Sequence, residues 1–207
     1  MITIRYESWT HKLARVMVRP LLSTSITPNH LTTIRLLTGL AACVGFAWGS
    51  RSGDIWGGCL WVLSAFMDRA DGELARLSGK SSENGHYYDF ACDVVINGLV
   101  FICIGLGLRG SVFGTGYILM GFCSGITVSI ASLLSERLES MDTFSQKAYE
   151  GVAGFDFDDV LYIFGPVAWF GWLYVLLIGA AFGGPAFVIW TWLRLRNENK
   201  KIAAQSP

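Results

Sequence analysis

Asp68-Arg69-Ala70-Asp71-Gly72-Glu73-Leu74-Ala75-Arg76, eight residues, then Gly85-His86-Tyr87-Tyr88-Asp89-Phe90-Ala91-Cys92-Asp93 is the stretch that decides how this chain folds. Four aspartates stand between two apolar runs, Ile55 to Met67 before them and Val94 to Leu108 after. Charge is concentrated where the chain tolerates it least, at the ends of helices expected to cross a membrane. Ionisable groups in such places are expensive and point to function.

The spacing carries chemistry of its own. Asp68 and Asp71 are three residues apart and Asp89 and Asp93 four apart, so each pair shares one helix face. The eight-residue gap lets the two helices run antiparallel with the pairs facing each other. Four converging carboxylates repel unless a cation neutralises them, and hard oxygen ligands favour Mg²⁺ or Mn²⁺. Two ions about 4 Å apart would suit phosphoryl transfer by clamping the attacking and leaving oxygens. Aspartates satisfied by buried arginine or lysine are the competing explanation. Arg69 and Arg76 are the nearby cations in sequence, which leaves an acidic surplus.

Composition agrees with a membrane protein. The 207 residues are 52% hydrophobic and 15% charged, and the mean hydropathy is positive. A hydrocarbon slab of about 30 Å needs roughly 20 apolar residues per helix. On this basis an all-α, polytopic fold is expected: a single domain over 1–207, with an interfacial helix at 8–22, a six-helix bundle over 30–196 and a cytoplasmic tail at 197–207. The spans read as 30–50, 55–76, 86–107, 112–134, 158–180 and 184–196. The last one starts within Gly183-Gly184 or lets Arg194 and Arg196 snorkel to the interface. Residues 135–157 read as a cytoplasmic loop.

An even number of spans puts both termini on one side. Arg5, Lys12, Arg15, Arg19, Arg69, Arg76, Lys80, Arg137, Lys147, Arg194, Arg196, Lys200 and Lys201 then share that side, against Arg51 and Arg109 on the other, with Arg35 inside the first span. The excess places the aspartates and both termini in the cytoplasm, and the protein in the inner membrane. Trp48, Trp56, Trp169, Trp172, Trp190 and Trp192 fall near span ends, as interfacial or as packing aromatics. Trp9, Leu13, Val16, Met17 and Pro20-Leu21 recur at helical spacing opposite Lys12, Arg15 and Arg19, the pattern of a helix lying in the interface or packed on the protein's own face. No apolar run precedes Leu31, so no cleaved signal peptide is expected. Zero net charge gives no reason to expect nucleic acid. Cys43, Cys59, Cys92, Cys103 and Cys123 form no paired motif, and neither disulfides nor zinc are expected.

The aspartate stretch resembles the signature of the CDP-alcohol phosphatidyltransferase family at every defined position, and Thr27-Pro28-Asn29 before the first span resembles the family's lead-in to that helix. The resemblance covers roughly residues 20–135. It implies a membrane enzyme that moves a substituted phosphate from a CDP-alcohol, most commonly CDP-diacylglycerol, to a small polar alcohol with release of CMP. It assigns Asp68, Asp71, Asp89 and Asp93 to the metal, Asp93 also to the general base, and Asp68, Gly72, Ala75, Arg76, Gly85, Thr27, Pro28 and Asn29 to the cytidine diphosphate. A homodimer is implied as well. Glycines at 72 and 85 would let a flat base or diphosphate approach the backbone, although Gly72 could equally serve helix packing. His86 is an alternative base.

The acceptor is less defined. Gly72-Glu73-Leu74-Ala75-Arg76 resembles the form found in archaeal members that transfer inositol phosphate. In Ser135-Glu136-Arg137-Leu138-Glu139, Arg137 and Glu139 fit the pattern of phosphatidylinositol-phosphate synthases, but Ser135 replaces a lysine. Arg137 is the acceptor-binding candidate. Asp156, Asp158 and Asp159 form either a helix-start cluster or an attraction for a cationic or polyhydroxylic acceptor. Alternatives are a soluble donor such as CDP-inositol, a cation transporter built on the aspartates, and a noncatalytic membrane scaffold.

Overall fold

The structure is a computed structural model, described here for residues 9–141 and 157–205. The described residues form seven α-helices: α1 (Trp9–Val18), α2 (Pro28–Trp48), α3 (Arg51–Ser78), α4 (Glu83–Gly107), α5 (Thr115–Met141), α6 (Phe164–Trp169) and α7 (Leu173–Gln205). Short 3₁₀ turns follow α1 and α4 and precede α6, and the described residues contain no strand. Arg5, Lys147, Asp156 and most of the expected 135–157 loop lie outside the described residues.

Local chemistry sets the helix ends. Thr27 precedes α2 in extended conformation, Pro28 opens the first turn, and the Thr27 backbone N–H donates to His30 Nδ1 at 3.0 Å. Proline there loses no helical hydrogen bond. Ser50 caps α3 by accepting from the Gly53 N–H (3.1 Å), and Ser82 caps α4 by accepting from the Gly85 N–H (3.0 Å). Gly49 and Gly79 end α2 and α3 in the left-handed conformation, at φ +69° and +64°.

Cross-helix contacts fix the directions. Arg35 of α2 meets Asp68 of α3, while Gly45 lies against Gly57, so α2 and α3 form an antiparallel hairpin. A Cβ on Gly45 would stand 3.1 Å from Gly57 Cα, and one on Gly105 the same distance from Gly121 Cα. These close approaches hold α2 to α3 and α4 to α5, as small residues do between membrane helices. Phe46, Trp61, Ile96, Val100, Ile104, Phe164 and Leu177 form the buried core, with Trp61 stacked on Phe164 at 5.0 Å between centroids.

Among the described residues, four helices are long and apolar enough to cross a membrane: Pro28–Trp48, Glu83–Gly110, Thr115–Leu138 and Leu173–Lys200. Together they fit an integral membrane protein. α3 carries Asp68, Arg69, Asp71, Glu73 and Arg76 in its second half, and the apolar segment Asp159–Trp169 is short, so neither is among the four.

The last two expected spans are corrected. The chain turns at Phe170–Trp172, not at Gly183-Gly184. Gly171 takes φ +77°, its N–H donates to the Ala168 carbonyl (3.1 Å), and the Trp172 N–H donates to that of Val167 (2.8 Å). Arg51, at the start of α3, closes the same helix end by donating to the carbonyls of Ala168 and Trp169. α7 then runs unbroken through Pro185 to Gln205, so residues 197–205 prolong that helix. Proline removes the donor that would reach the Ala181 carbonyl. The Cys123 thiol of α5 points at that carbonyl at 4.0 Å, and Gly184 packs on Thr127. Gly183-Gly184-Pro185 is thus a place of helix contact.

α1 packs on the protein's own surface through one face. Thr10, Ala14 and Val18 are buried, with Val18 packed against Leu31, Ala70 and Leu74, whereas Trp9, Leu13, Val16 and Met17 face outward.

Candidate active site

Three helices contribute to one cluster. α2 supplies Thr32 and Arg35, α3 supplies Asp68 and Asp71, and α4 supplies Asp89 and Asp93. One carboxylate oxygen each from Asp68, Asp71 and Asp89 lies within 4.8 Å of the others. Asp93 stands one turn further along α4, against the Arg35 guanidinium. Asp71 is almost fully buried, and its Oδ2 accepts from Thr32 Oγ1 at 2.8 Å. The other three are partly open, with side chains 23% (Asp68), 34% (Asp89) and 32% (Asp93) exposed.

Arg35 is the site residue that the sequence reading did not use. Its Nε lies 3.3 Å from Asp68 Oδ1, and its Nη1 lies 3.5 Å from Asp89 Oδ1 and in contact with Asp93 Oδ1. Arg69 and Arg76 are therefore not the only cations near the aspartates, and Arg69 points elsewhere. The signal was visible: Arg35 is the one cation inside the first span, and it shares a helix face with Thr32. One positive charge against four negative ones still leaves a surplus. Asp89 Oδ1 and Asp93 Oδ1 are buried, and the cation they face is the Arg35 guanidinium. Buried acceptor atoms in an acid-rich cluster suit a divalent cation, so the residues present fit such an ion.

The other nominated residues fall into two groups. Gly72 has open space above it, since an added Cβ would meet only the Arg76 guanidinium, at 3.6 Å, so helix packing does not explain this glycine. Gly85 lies against Asn29, with the added Cβ 3.0 Å from Asn29 Oδ1, which brings Thr27-Pro28-Asn29 beside the start of α4. Ala75 is half-buried on α3. His86 is engaged on α5, where its Nε2 lies 3.0 Å from Glu136 Oε1. Arg137 is exposed on α5, and the side chains of Glu139 and Asp158 are outside what is described. Asp159 is turned inward, where its Oδ1 accepts from Arg69 Nη2 (3.0 Å) and Thr10 Oγ1 (2.8 Å).

A second buried acid lies on the opposite face of α3. Glu73 accepts from Arg76 Nη2 (2.7 Å) and Arg15 Nε (3.1 Å) and lies 2.7 Å from His11 Nδ1. This network pins α1 to the helix that holds Asp68 and Asp71, and no spacing in the sequence announced it.

The sequence profile described as CDP-alcohol phosphatidyltransferase matches residues 25–193. This chain belongs to that family. Among curated CDP-alcohol phosphatidyltransferase relatives, the archaetidylinositol phosphate synthase of Pyrococcus horikoshii is 36% identical over 89 residues, 43% of this chain and 46% of that protein. The phosphatidylinositol phosphate synthase of Corynebacterium glutamicum is 32% identical over 94 residues, 44% of this chain and 42% of that one. The chain thus spans a little under half the length of these curated relatives. The fold is also similar to Mycobacterium tuberculosis phosphatidylinositol phosphate synthase, solved with CDP-DAG bound (TM-score 0.58, 18% identity, 89% of this chain and 94% of that one). A second structure of that protein, with manganese and citrate, gives a TM-score of 0.59 at 18% identity over 88% of both chains.

Proposed function

We propose that this CDP-alcohol phosphatidyltransferase moves a substituted phosphate from a CDP-alcohol, CDP-diacylglycerol in the first instance, to the hydroxyl of a small polar alcohol, releasing CMP in phospholipid biosynthesis. The convergence of Asp68, Asp71 and Asp89 at the meeting of α3 and α4, with Asp93 beside them, is the observation behind this reading.

Asp68, Asp71, Asp89 and Asp93 would hold Mg²⁺ or Mn²⁺, two ions on this reading. Such ions, when bound, neutralise the donor diphosphate and the charge that collects on the departing phosphate. The protein's own groups bind and orient. Gly72 leaves the α3 surface open to the cytidine diphosphate, Ala75 keeps it low, and Arg76, whose Nη2 is tied to Glu73, offers its remaining guanidinium N–H groups to phosphate. Thr27, Pro28, Asn29 and Gly85 border the same space. Asp93 accepts the proton of the acceptor hydroxyl as its oxygen bonds to the β-phosphorus. The bond from that phosphorus to the CMP oxygen breaks, and CMP leaves with the electron pair.

Inositol phosphate is the first acceptor to consider, because both curated relatives are named for inositol-phosphate lipids. Arg137 is the phosphate contact proposed on α5. The Ser135 position leaves that contact one cation poorer than the pattern of phosphatidylinositol-phosphate synthases. Six membrane passes, both termini and the aspartates on the cytoplasmic side of the inner membrane, and a homodimer complete the proposal. A cation transporter would explain the acidic surplus but not membership of a transferase family.

Incubating detergent-solubilised protein with CDP-diacylglycerol or CDP-inositol, against inositol phosphate, glycerol phosphate and serine, tests the substrates by product mass spectrometry. A phosphatidylinositol phosphate with stoichiometric CMP is expected. Product from CDP-inositol alone would move the donor to the soluble class, and product from another acceptor alone would remove the role given to Arg137.

A further inference from the structure

Arg35 occupies an unusual position for a cation. It is buried on α2, its side chain only 3% exposed, and the carboxylates of Asp68, Asp89 and Asp93 are the charged groups it meets. Its own backbone carbonyl is tied to Ser64 Oγ at 2.9 Å, which fixes this turn of α2 against α3. A buried guanidinium parted from its carboxylates would be strongly destabilising, so it stays with them. Its contacts are also unequal: Asp71, the most buried aspartate, is served by Thr32, whereas Asp93 takes the closest approach of the guanidinium.

We propose that Arg35 is a positioning residue that acts as a fixed internal counter-cation: it moderates the affinity of the aspartates for divalent metal and holds Asp93 back from full metal ligation. This rests on the reading of the aspartates as metal ligands. With Arg35 the cluster bears a net charge of three negatives; without it, four. The extra negative charge should draw metal more tightly, while Asp93, released from the guanidinium, should swing into ordinary coordination. Metal binding and turnover would therefore move in opposite directions, an outcome that mere loss of packing does not produce.

The test is Mn²⁺ binding to purified, metal-stripped protein, read from the free-ion electron paramagnetic resonance signal and from the thermal midpoint with and without Mn²⁺. One adjacent charge moves an ionic equilibrium by one to three powers of ten. Arg35→Gln should accordingly bind Mn²⁺ roughly tenfold more tightly or better, unfold earlier when stripped, and lose kcat. Arg35→Lys keeps the charge and should bind Mn²⁺ within a few-fold of wild type. The double variant Arg35→Gln/Asp93→Asn removes one charge of each sign and should recover much of the stripped protein's stability, which keeps the idea testable if Arg35→Gln does not fold. Unchanged Mn²⁺ affinity in Arg35→Gln, a Lys variant shifted as far as the Gln variant, or a double variant no more stable than the single one would overturn the proposal. Wild-type protein that binds no Mn²⁺ would instead overturn the metal-site reading beneath it.

Discussion

The Thr32 hydroxyl on α2 donates to Asp71 Oδ2 on α3 across 2.8 Å, with both side chains buried. Asp71 is thereby aimed from two directions, by its own helix and by a neighbour. Thr32→Val preserves shape and removes the donor, leaving a buried carboxylate one hydrogen bond short. A loss of about 1–3 kcal/mol is expected from such a change. Thermal unfolding of metal-stripped protein should show it, and Thr32→Ser should restore most of it. A valine variant as stable as wild type would mean that Asp71 is held by other groups.

Asp89 and Asp93 should fail differently. Asp93→Asn retains an oxygen that can coordinate metal but cannot accept the acceptor's proton, so CDP-alcohol binding should survive while kcat falls roughly 10²–10⁴-fold. Asp89→Asn should weaken metal and donor together, with partial rescue by excess metal. Near wild-type turnover in Asp93→Asn would move the base elsewhere. His86, engaged with Glu136, is poorly placed to take over.

The turn between α6 and α7 is predicted to matter for stability more than for chemistry. Gly171→Ala forces a side chain into the left-handed region, which costs about 1–2 kcal/mol, and Arg51→Met removes the donor to the Ala168 and Trp169 carbonyls. Both variants should unfold at lower temperature yet turn over normally under permissive conditions. A selective loss of kcat without loss of stability would show that this end of the molecule communicates with the aspartates.

Membrane orientation can be read by cysteine labelling. Ser52 lies at the start of α3 and Ser81 in the connection to α4, at opposite ends of one helix, and both are exposed. A cysteine introduced at Ser81 should react from the cytoplasmic face only, and one at Ser52 from the other face only. Reaction of both from one face would mean that α3 does not cross.

The aspartate cluster was legible because its geometry is local: spacings of three and four, with a short connection, bring two helix faces together almost without tertiary information. Arg35 was legible only as an anomaly, since its partners lie on two other helices and no spacing within α2 names them. The turn at Gly171 was obscured because Phe170 and Trp172 continue the apolar run on either side, so hydropathy sees no boundary. Pro185 misled in the opposite direction: a Gly-Gly-Pro triplet reads as a break, yet α5 approaches closely enough for Cys123 to meet the freed carbonyl. The Glu73 network, with donors from α1 and α3, depends on where α1 docks.

Release of CMP from CDP-diacylglycerol in the presence of a polar alcohol acceptor tests the central claim most directly, measured on detergent-solubilised protein before and after chelation. Turnover should vanish in the stripped protein and return on addition of Mg²⁺ or Mn²⁺, because four carboxylates and a diphosphate cannot share one site without cations. Undiminished CMP release from fully stripped, chelated protein, or none under any metal with any donor and acceptor pair, would contradict it.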